Sequence, residues 1–286
     1  MSTAPRSSLC WTVRDALAAV AARLATAGVD TPRVDAEILV AHVLGETRSG
    51  LHADGSRRLT HEQRAELDRL LARRVAREPL AYVLGEWGFR RLTLGVDSRV
   101  LVPRPETEVV VERCLARLAG LEEPRVLDVG TGSGAIALAI ADEHPGARVT
   151  AIDASEDALA VARANAARTG LEIELRRHDL FAGLPEGPWD LVVSNPPYIG
   201  DDELAGLEPE VREWEPRAAV VGEGTTERVA SAARDVLRPS GALVLETAGG
   251  HAEEIAALLG ELGYLDVRVT DDLTGRSRVA EGVMPR

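Results

Sequence analysis

The feature that most constrains the fold of this chain is a regular alternation of apolar runs and helical patterns that begins near residue 125. Short apolar runs typical of buried strands occupy residues 126–129, 149–152, 173–175, 191–193, 242–245, 267–269 and 278–280. Helical patterns fill residues 134–141, 155–169, 226–237 and 253–262. Because strands that alternate with helices form a mostly parallel sheet covered on both faces, the sequence predicts a doubly wound α/β sheet of seven strands, with 278–280 as an antiparallel edge.

Residues 1–85 show a different pattern, which is typical of short capped helices. Three helices are predicted there, and the threonines that precede them as N-caps are Thr12, Thr31 and Thr60. This segment contains no arrangement of side chains that indicates catalysis. We therefore expect a small helical bundle that either recognises a protein partner or serves as a scaffold.

A β-hairpin is predicted to join this bundle to the α/β part of the chain. Apolar residues alternate at positions 92, 94 and 96 and again at 100 and 102, and a turn is expected at Asp97 and Ser98. Phe89 stands at the entrance to the hairpin. The predicted domains are therefore a helical bundle (1–85), a hairpin linker (86–102) and an α/β domain (103–286).

Residues 103–108 read Pro-Arg-Pro-Glu-Thr-Glu and are predicted to start a helix. Proline and acidic residues are both favoured in a first helical turn, where no intrahelical hydrogen-bond donor is needed and the helix dipole attracts negative charge. This capping chemistry leaves Arg104 unexplained.

A glycine-rich turn follows the first strand of the α/β part and opens the next helix. The candidate cofactor residues of this turn are Asp128, Gly130, Thr131, Gly132, Ser133 and Gly134. Asp153 and Asp179 follow the next two strands, where they are placed to accept hydrogen bonds from a ribose and from an adenine amine, with Leu180 and Phe181 as apolar cover. The pattern indicates a nucleoside cofactor and leaves both NAD and S-adenosylmethionine open, although a carboxylate at Asp128 would repel a pyrophosphate.

Asn-Pro-Pro-Tyr at residues 195–198 ends another apolar strand. Pro196 and Pro197 carry no backbone N–H, so this tip of the chain presents carbonyl acceptors, and the side chain of Asn195 adds one more. Adjacent acceptors suit a planar group with two N–H bonds, such as a carboxamide or an exocyclic base amine. Tyr198 adds a flat face against which such a group could lie.

Charge and cysteine content exclude several classes of protein. The net charge is −13; residues 1–85 hold 12 Arg against 10 Asp and Glu, and residues 86–286 hold 21 against 36. An acidic α/β part is poorly suited to a phosphate backbone, so no direct nucleic-acid contact is expected. The two cysteines, Cys10 and Cys114, form no CxxC motif, and neither a disulfide framework nor a zinc or other metal site is expected. No apolar run follows Arg6, so no signal peptide is expected, and no apolar run in the sequence is long enough to span a membrane. We therefore expect a cytoplasmic protein. We also expect a monomer.

The chain resembles the HemK/PrmC family of peptide-chain release-factor glutamine methyltransferases along essentially its whole length. The matching signatures lie at residues 33–39, 78–89, 103–108, 128–134, 195–198 and 215–218. The resemblance implies a class I, Rossmann-like methyltransferase fold and S-adenosylmethionine as cofactor, held by Gly130 to Gly134, Asp153, Asp179 and Asn195. Many members carry Trp where this chain has Leu180.

The resemblance also implies a substrate, the glutamine of the Gly-Gly-Gln motif in release factors. Asn195 and the Pro196 carbonyl would hold its amide, Phe89 and Tyr198 would be aromatic walls, and Arg104 would lie in the substrate site. Residues 1–85 would recognise the release factor. The alternatives are methylation of a glutamine in a ribosomal protein and methylation of a DNA or RNA base. A catalytically silent cofactor-binding adaptor and an NAD oxidoreductase are further alternatives, against which the intact Asn-Pro-Pro-Tyr argues.

Overall fold

The computed structural model of the chain describes residues 11–51 and 54–286. The chain divides into two compact units, Met1–Leu84 and Gly85–Arg286. Arg6 and Cys10 lie outside the described residues, so their predicted roles have no structural counterpart. Within the described part, no helix is both long and apolar enough to cross a bilayer.

The first unit is a helical bundle, as its capping pattern predicts. Its helices are α1 (Val13–Thr26), α2 (Pro32–Leu44), α3 (Arg48–Leu51), α4 (His61–Val75) and α5 (Leu80–Leu84). Capping boxes are present at Thr12 and Thr60, where each hydroxyl accepts a hydrogen bond from the backbone three residues on. Thr31 differs from the prediction, because its hydroxyl makes no cap bond and instead donates to Asp35 Oδ1 at 2.8 Å.

A buried ion pair joins two helices of this bundle. Arg74 on α4 donates through Nε to Asp35 Oδ2 on α2 at 2.7 Å, and both side chains are almost fully buried. The same two helices also bury Leu39, Leu67 and Leu71 in the bundle core. Such a pair is costly to break, because removing one partner leaves the other charge buried.

The second unit opens with a hairpin that lies earlier than predicted. Strands β1 (Glu86–Phe89) and β2 (Leu92–Gly95) pair through a turn at Arg90 and Arg91, whereas residues 97–102 form a loop. A turn does form at Asp97, where the N–H of Val100 donates to the Asp97 carbonyl at 3.1 Å, but no strands pair across it, so the predicted hairpin around this turn was wrong. Arg90 takes a left-handed conformation (φ 50°), and its backbone N–H donates to Glu108 Oε1 at 2.9 Å, so a contact distant in sequence fixes this turn.

The seven-stranded sheet is confirmed. Its strands are β3 (Arg125–Val129), β4 (Arg148–Asp153), β5 (Glu174–Arg177), β6 (Trp189–Ser194), β7 (Leu237–Glu246), β8 (Leu265–Asp271) and β9 (Ser277–Val283), in the spatial order β5-β4-β3-β6-β7-β9-β8. The helices of this unit are α6 (Pro105–Leu118), α7 (Ala135–Glu143), α8 (Glu156–Thr169), α9 (Pro209–Trp214), α10 (Arg217–Val220), α11 (Thr225–Ala233) and α12 (Ala252–Glu261). β9 pairs antiparallel with both β7 and β8, so it is interior and β8 is the edge strand, contrary to the prediction.

Two apolar layers cover the sheet, one on each face. Along β6, Leu191 and Val193 face the layer that contains α6 and α7, and Val192 faces the layer that contains α11 and α12. Strands buried on both faces need continuous apolar runs, which explains their clear signal in the sequence. Cys114 lies inside the first layer, where burial raises the pKa of its thiol. Because β3, β4 and β6 run parallel and in register, their carboxyl ends meet at one edge of the sheet.

Candidate active site

A cavity of about 480 Å³ lies at the carboxyl ends of these parallel strands, where α/β sheets bind their ligands. The described residues that line it belong to the second unit. The predicted site residues among them are Arg104, Gly130, Thr131, Gly132, Ser133, Asp153, Asp179, Leu180, Asn195, Pro196 and Pro197. The fold thus brings most of the predicted residues together.

The glycine-rich turn forms one wall of this cavity. The N–H groups of Gly130 and Thr131 both donate to the carbonyl of Ile152, at 2.9 and 3.0 Å, which fixes the turn against the end of β4. Gly132 has φ 56°, and a Cβ placed on it would meet no atom within 4 Å, so this glycine leaves open space next to the backbone. Gly134 does not line the cavity; a Cβ there would lie 3.3 Å from the Ala162 side chain, so its role is close packing against α8.

Asp128 lies beneath the turn and is almost completely buried. Its Oδ2 accepts a hydrogen bond from the Thr131 hydroxyl at 2.7 Å, and its Oδ1 is buried with no partner among the described residues. Desolvation raises the pKa of the Asp128 carboxyl to about 7, against the opposing effect of the Thr131 hydrogen bond. A buried carboxylate oxygen of this kind is stabilised by a nearby donor, most strongly by one that carries positive charge.

Asp153 and Asp179 shape the next part of the cavity. The carboxylate of Asp153 accepts from the N–H of Gly132 and from the N–H of Ser155, both at 2.9 Å, so it is held rigidly against the turn. Each carboxylate oxygen has a second lone pair that can accept from a ligand. Asp179 accepts from the N–H of Phe181 at 2.9 Å and caps a short 3-10 helix, Leu180–Ala182.

Phe181 is the most exposed aromatic side chain of this region, with 63% of its surface accessible. The Arg228 guanidinium lies 4.6 Å from the centroid of its ring, and both Leu180 and Phe181 line the cavity. A flat aromatic face beside Asp179 suits a heterocyclic base.

Asn195 and Pro196 form the opposite wall. The side-chain Nδ2 of Asn195 donates to the Thr107 hydroxyl at 3.2 Å, and the Thr107 hydroxyl donates to Glu246 Oε2 at 2.7 Å. Neither Asn195 Oδ1 nor the carbonyl of Pro196 accepts a hydrogen bond from the described residues. Two acceptor oxygens are therefore free on consecutive residues.

Arg104 has a partner that the sequence did not indicate. Its guanidinium forms an ion pair with Glu215, with Nη2 at 2.8 and 2.7 Å from the two carboxylate oxygens. Glu215 also accepts from the N–H of Val102 at 3.3 Å, and desolvation raises the pKa of its carboxyl although Arg104 opposes this. Arg104 thus fastens the segment before α6 to the segment after α9 while still lining the cavity.

Two predicted aromatic walls do not line this cavity. Phe89 is 1% exposed and packs in the sheet core with Leu94 and Val110, so its assignment to the substrate site was wrong. The side chain faces inward because it alternates with exposed Gly88 in β1. Tyr198 is half-buried and does not contact the cavity; desolvation and nearby Glu246 raise the pKa of its hydroxyl to about 12.

Sequence reasoning missed three polar residues that organise the site, Thr107, Glu246 and Asn165. Asn165 on α8 donates to the carbonyls of Ser133 and Gly95, at 2.9 and 3.0 Å, and accepts from the N–H of Gly95 at 2.7 Å. It therefore ties the glycine-rich turn to β2. For Glu246 a signal existed, since an acid directly after the apolar run 242–245 follows the same pattern as Asp153.

The residues present fit S-adenosylmethionine. Asp128 does not line the cavity, but its buried carboxyl beneath the turn would attract the cationic amino-acid end in the open space beside Gly132. Asp153 would accept from the ribose hydroxyls, and Phe181 would cover the base. Among the described residues, no cluster of three His, Cys, Asp or Glu side chains could hold a metal ion.

Comparison with known proteins identifies the family. The family described as "PrmC N-terminal domain" matches residues 15–85, and the "Methyltransferase small domain" matches residues 107–206. A release factor glutamine methyltransferase of Deinococcus radiodurans is 43% identical over 93% of this chain and 96% of its own, and that of Chlorobaculum tepidum is 43% identical over 92% of this chain and 94% of its own. The crystal structure of a methyltransferase from Pyrococcus furiosus aligns over 79% of this chain and all of its own with a TM-score of 0.51; at 19% identity it supports the fold alone. The chain therefore belongs to the family of release factor glutamine methyltransferases.

Proposed function

We propose that this protein transfers a methyl group from S-adenosylmethionine to the side-chain amide nitrogen of the glutamine in the Gly-Gly-Gln motif of peptide-chain release factors. The observation that carries the proposal is the pair of free acceptors, Asn195 Oδ1 and the Pro196 carbonyl, in the same cavity as the glycine-rich turn. A primary carboxamide has two N–H bonds on one nitrogen, and these acceptors can bind both. Membership of the family supports this substrate.

The cofactor would be held by residues at the ends of β3, β4 and β5 and in the loops that follow them. Gly130 to Ser133 line its path, Asp153 would bind the ribose, and Asp179 with Leu180 and Phe181 would bind the base. S-adenosylmethionine supplies an activated methyl group on a positively charged sulfur. Asp128 lies beneath this region with an unpaired oxygen that favours a cationic ligand.

Catalysis is proposed to depend mainly on positioning. An amide nitrogen is a weak nucleophile, because its lone pair is delocalised into the carbonyl. Asn195 and Pro196 would fix that nitrogen in one orientation, and positioning of this kind can lower a barrier by up to about 7–11 kcal/mol. The amide nitrogen loses one proton to solvent as it gains the methyl group, so no dedicated general base is needed.

The first unit is proposed to recognise the release factor. It carries more Arg than Asp and Glu, unlike the rest of the chain, and none of its described residues lines the cavity. Two residues of the α2 signature, Arg33 and Val34, are exposed, as a contact surface requires. We further propose that the protein acts as a monomer, in the cytoplasm where release factors work, and without direct contact with nucleic acid.

The function is tested by mass spectrometry of a purified full-length release factor after incubation with this protein and S-adenosylmethionine. The expected result is one added methyl group on the glutamine of the Gly-Gly-Gln motif. A release factor in which that glutamine is replaced by asparagine is the control and should remain unmodified. Methylation of a ribosomal protein or an oligonucleotide, with no methylation of the release factor, would contradict the proposal.

A further inference from the structure

Asn195, which lines the cavity, is the first of three side chains from distant parts of the chain that form a continuous hydrogen-bonded row. The other two are Thr107 and Glu246. Glu246 at the end of β7 accepts from the Thr107 hydroxyl on α6 at 2.7 Å, and Thr107 accepts from Asn195 Nδ2 at 3.2 Å. Glu246 is 1% exposed and Thr107 is 4% exposed. The Glu246 carboxylate and the Thr107 hydroxyl are thus both almost fully buried and bonded to each other.

The direction of the hydrogen bonds in this row decides which atom of Asn195 faces the cavity. The oxygen and nitrogen of a side-chain amide have nearly the same shape, so shape alone does not select one orientation. An ionised carboxylate can only accept, so Thr107 must donate its single proton to Glu246. The Thr107 oxygen can then only accept from Asn195. The Nδ2 of Asn195 therefore faces Thr107, and its Oδ1 faces the cavity.

We propose that Glu246 and Thr107 are positioning residues that hold the Asn195 amide with its oxygen toward the substrate amide. The inference rests on the proposed function, in which Asn195 accepts from the substrate glutamine. In the flipped orientation, the NH2 group of Asn195 would face the NH2 group of the glutamine. That arrangement offers no hydrogen bond and holds the substrate nitrogen in the wrong place.

The orientation of the Asn195 amide therefore depends on the charge state of Glu246. The groups that face Glu246 are the Thr107 hydroxyl and Glu106 on α6, Arg104 before α6, Tyr198 after β6 and Arg278 on β9. Desolvation raises the pKa of the Glu246 carboxyl to about 7, opposed by Thr107, Arg278 and Arg104. A protonated Glu246 could donate to Thr107, which frees the Thr107 proton for Asn195 Oδ1 and permits the flip. Turnover should consequently fall as the pH is lowered through about 7.

The test measures methylation of a full-length release factor and S-adenosylmethionine affinity for the wild type, Thr107→Val, Thr107→Ser and Glu246→Gln. We expect kcat to fall about tenfold in Thr107→Val and in Glu246→Gln at pH 8, the scale of one net hydrogen bond. Thr107→Ser keeps the hydroxyl and should retain wild-type kcat. Calorimetry should give unchanged S-adenosylmethionine affinity for all three variants.

Two further readouts separate positioning from a structural role. The wild type should lose kcat below pH 7, and Glu246→Gln should show no such dependence, because its amide cannot change charge. The double variant Thr107→Val with Glu246→Gln should lose no more activity than either single variant, since both residues act in one row. Thr150→Val is the matched control; Thr150 is buried on β4 and donates to Glu174 at 3.1 Å, away from the cavity, so this variant should keep wild-type kcat and pH profile.

The results for these variants can overturn the proposed positioning role of Glu246 and Thr107. Wild-type kcat, or the wild-type pH profile, in Glu246→Gln would overturn it, as would equal losses in Thr107→Val and Thr150→Val. If Thr107→Val does not fold, Glu246→Gln and Thr107→Ser decide the question. A wild-type protein that does not methylate the release factor would overturn the proposed function itself, which is a distinguishable result.

Discussion

At the residue scale, Asn195 has the most direct proposed role. Asn195→Ala removes one of two acceptors for the substrate amide, so we expect kcat to fall by about 10²–10³, comparable with the loss of one preorganised polar group in other enzymes. S-adenosylmethionine affinity should change little. Single-turnover methylation measures the first effect, and calorimetry measures the second.

Asn195→Asp tests the same role more sharply, because it keeps an acceptor and the shape of the side chain. The added negative charge would lie on the Thr107 and Glu246 side of the cavity, so activity should still be lost. Near wild-type rates in both variants would show that Asn195 is only a turn residue.

The carboxylate of Asp128, proposed to favour a cationic cofactor, lowers the stability of the folded protein when it is ionised. The pKa of its carboxyl is 3.8 in a model peptide and about 7 in the folded protein, so the folded state retains a proton that the unfolded chain releases. The free energy of unfolding therefore falls as the pH rises from about 4 to about 7 and stays lower above that range, by at most about 4 kcal/mol.

Asp128→Asn removes this penalty and leaves a buried amide donor that costs about 1–3 kcal/mol. We expect a variant that is about 1–3 kcal/mol more stable than the wild type at pH 8 and less stable than the wild type at pH 4, where only the cost of the buried amide remains, and that binds S-adenosylmethionine weakly. Thermal melting at the two pH values and calorimetry provide the measurements. Unchanged cofactor affinity would remove Asp128 from the proposed site.

At the element scale, the ion pair between Asp35 and Arg74 fixes α2 against α4. Asp35→Ala leaves the Arg74 guanidinium buried, so we expect the bundle to lose about 3–5 kcal/mol of stability. Glu66→Ala is the control, because Glu66 forms an exposed pair with Arg69 within α4 and should matter by less than about 1 kcal/mol. Urea unfolding of the full-length variants compares them, and similar losses would show that burial does not decide the strength of these pairs.

The hairpin shows how an element can be recognised yet misplaced. Alternation of apolar residues predicted strands on both sides of Asp97, but Asp97 binds Arg99, with its carboxylate 2.7 Å from Nη2, within a loop. The turn that joins the paired strands lies instead at Arg90, whose side chain reaches Glu143 on α7 and whose N–H reaches Glu108 on α6. These contacts depend on how two helices pack, so the local pattern alone could not place the turn.

At the scale of the whole molecule, the two units are expected to separate cofactor binding from recognition of the protein substrate. The cavity is lined by residues of the second unit in the part of the chain that the structure describes, so a fragment of residues 85–286 should bind S-adenosylmethionine with nearly full affinity. The same fragment should methylate an intact release factor poorly, with a higher KM rather than a lower cofactor affinity. Calorimetry and steady-state kinetics test this, and methylation at the full-length rate would make the first unit a scaffold.

The sequence by itself determined most helices and strands of the second unit, the capped helices of the first unit, and the polar residues that follow the carboxyl ends of the parallel strands. Three kinds of feature depend on periodicity and hydrogen bonds within a few residues and can therefore be predicted from local sequence. They are the apolar runs at 126–129 and 191–193, the capping boxes at Thr12 and Thr60, and the glycine-rich turn. Asp153 and Asn195 could be expected near the turn, because the carboxyl ends of parallel strands share one edge.

Only the tertiary structure decided the partners of the buried polar groups. Thr107 reads as an ordinary helix-start residue until the fold brings Glu246, 139 residues away, against its hydroxyl. The sequence assigned no contact to Arg104, and the fold places Glu215, 111 residues further along the chain, beside it. The sequence predicted Phe89 as an aromatic wall of the substrate site, whereas strand β1 directs its side chain into the core. The physical reason is that a buried donor or acceptor must be satisfied by whichever group the packing of distant elements places next to it, and local sequence does not contain that information.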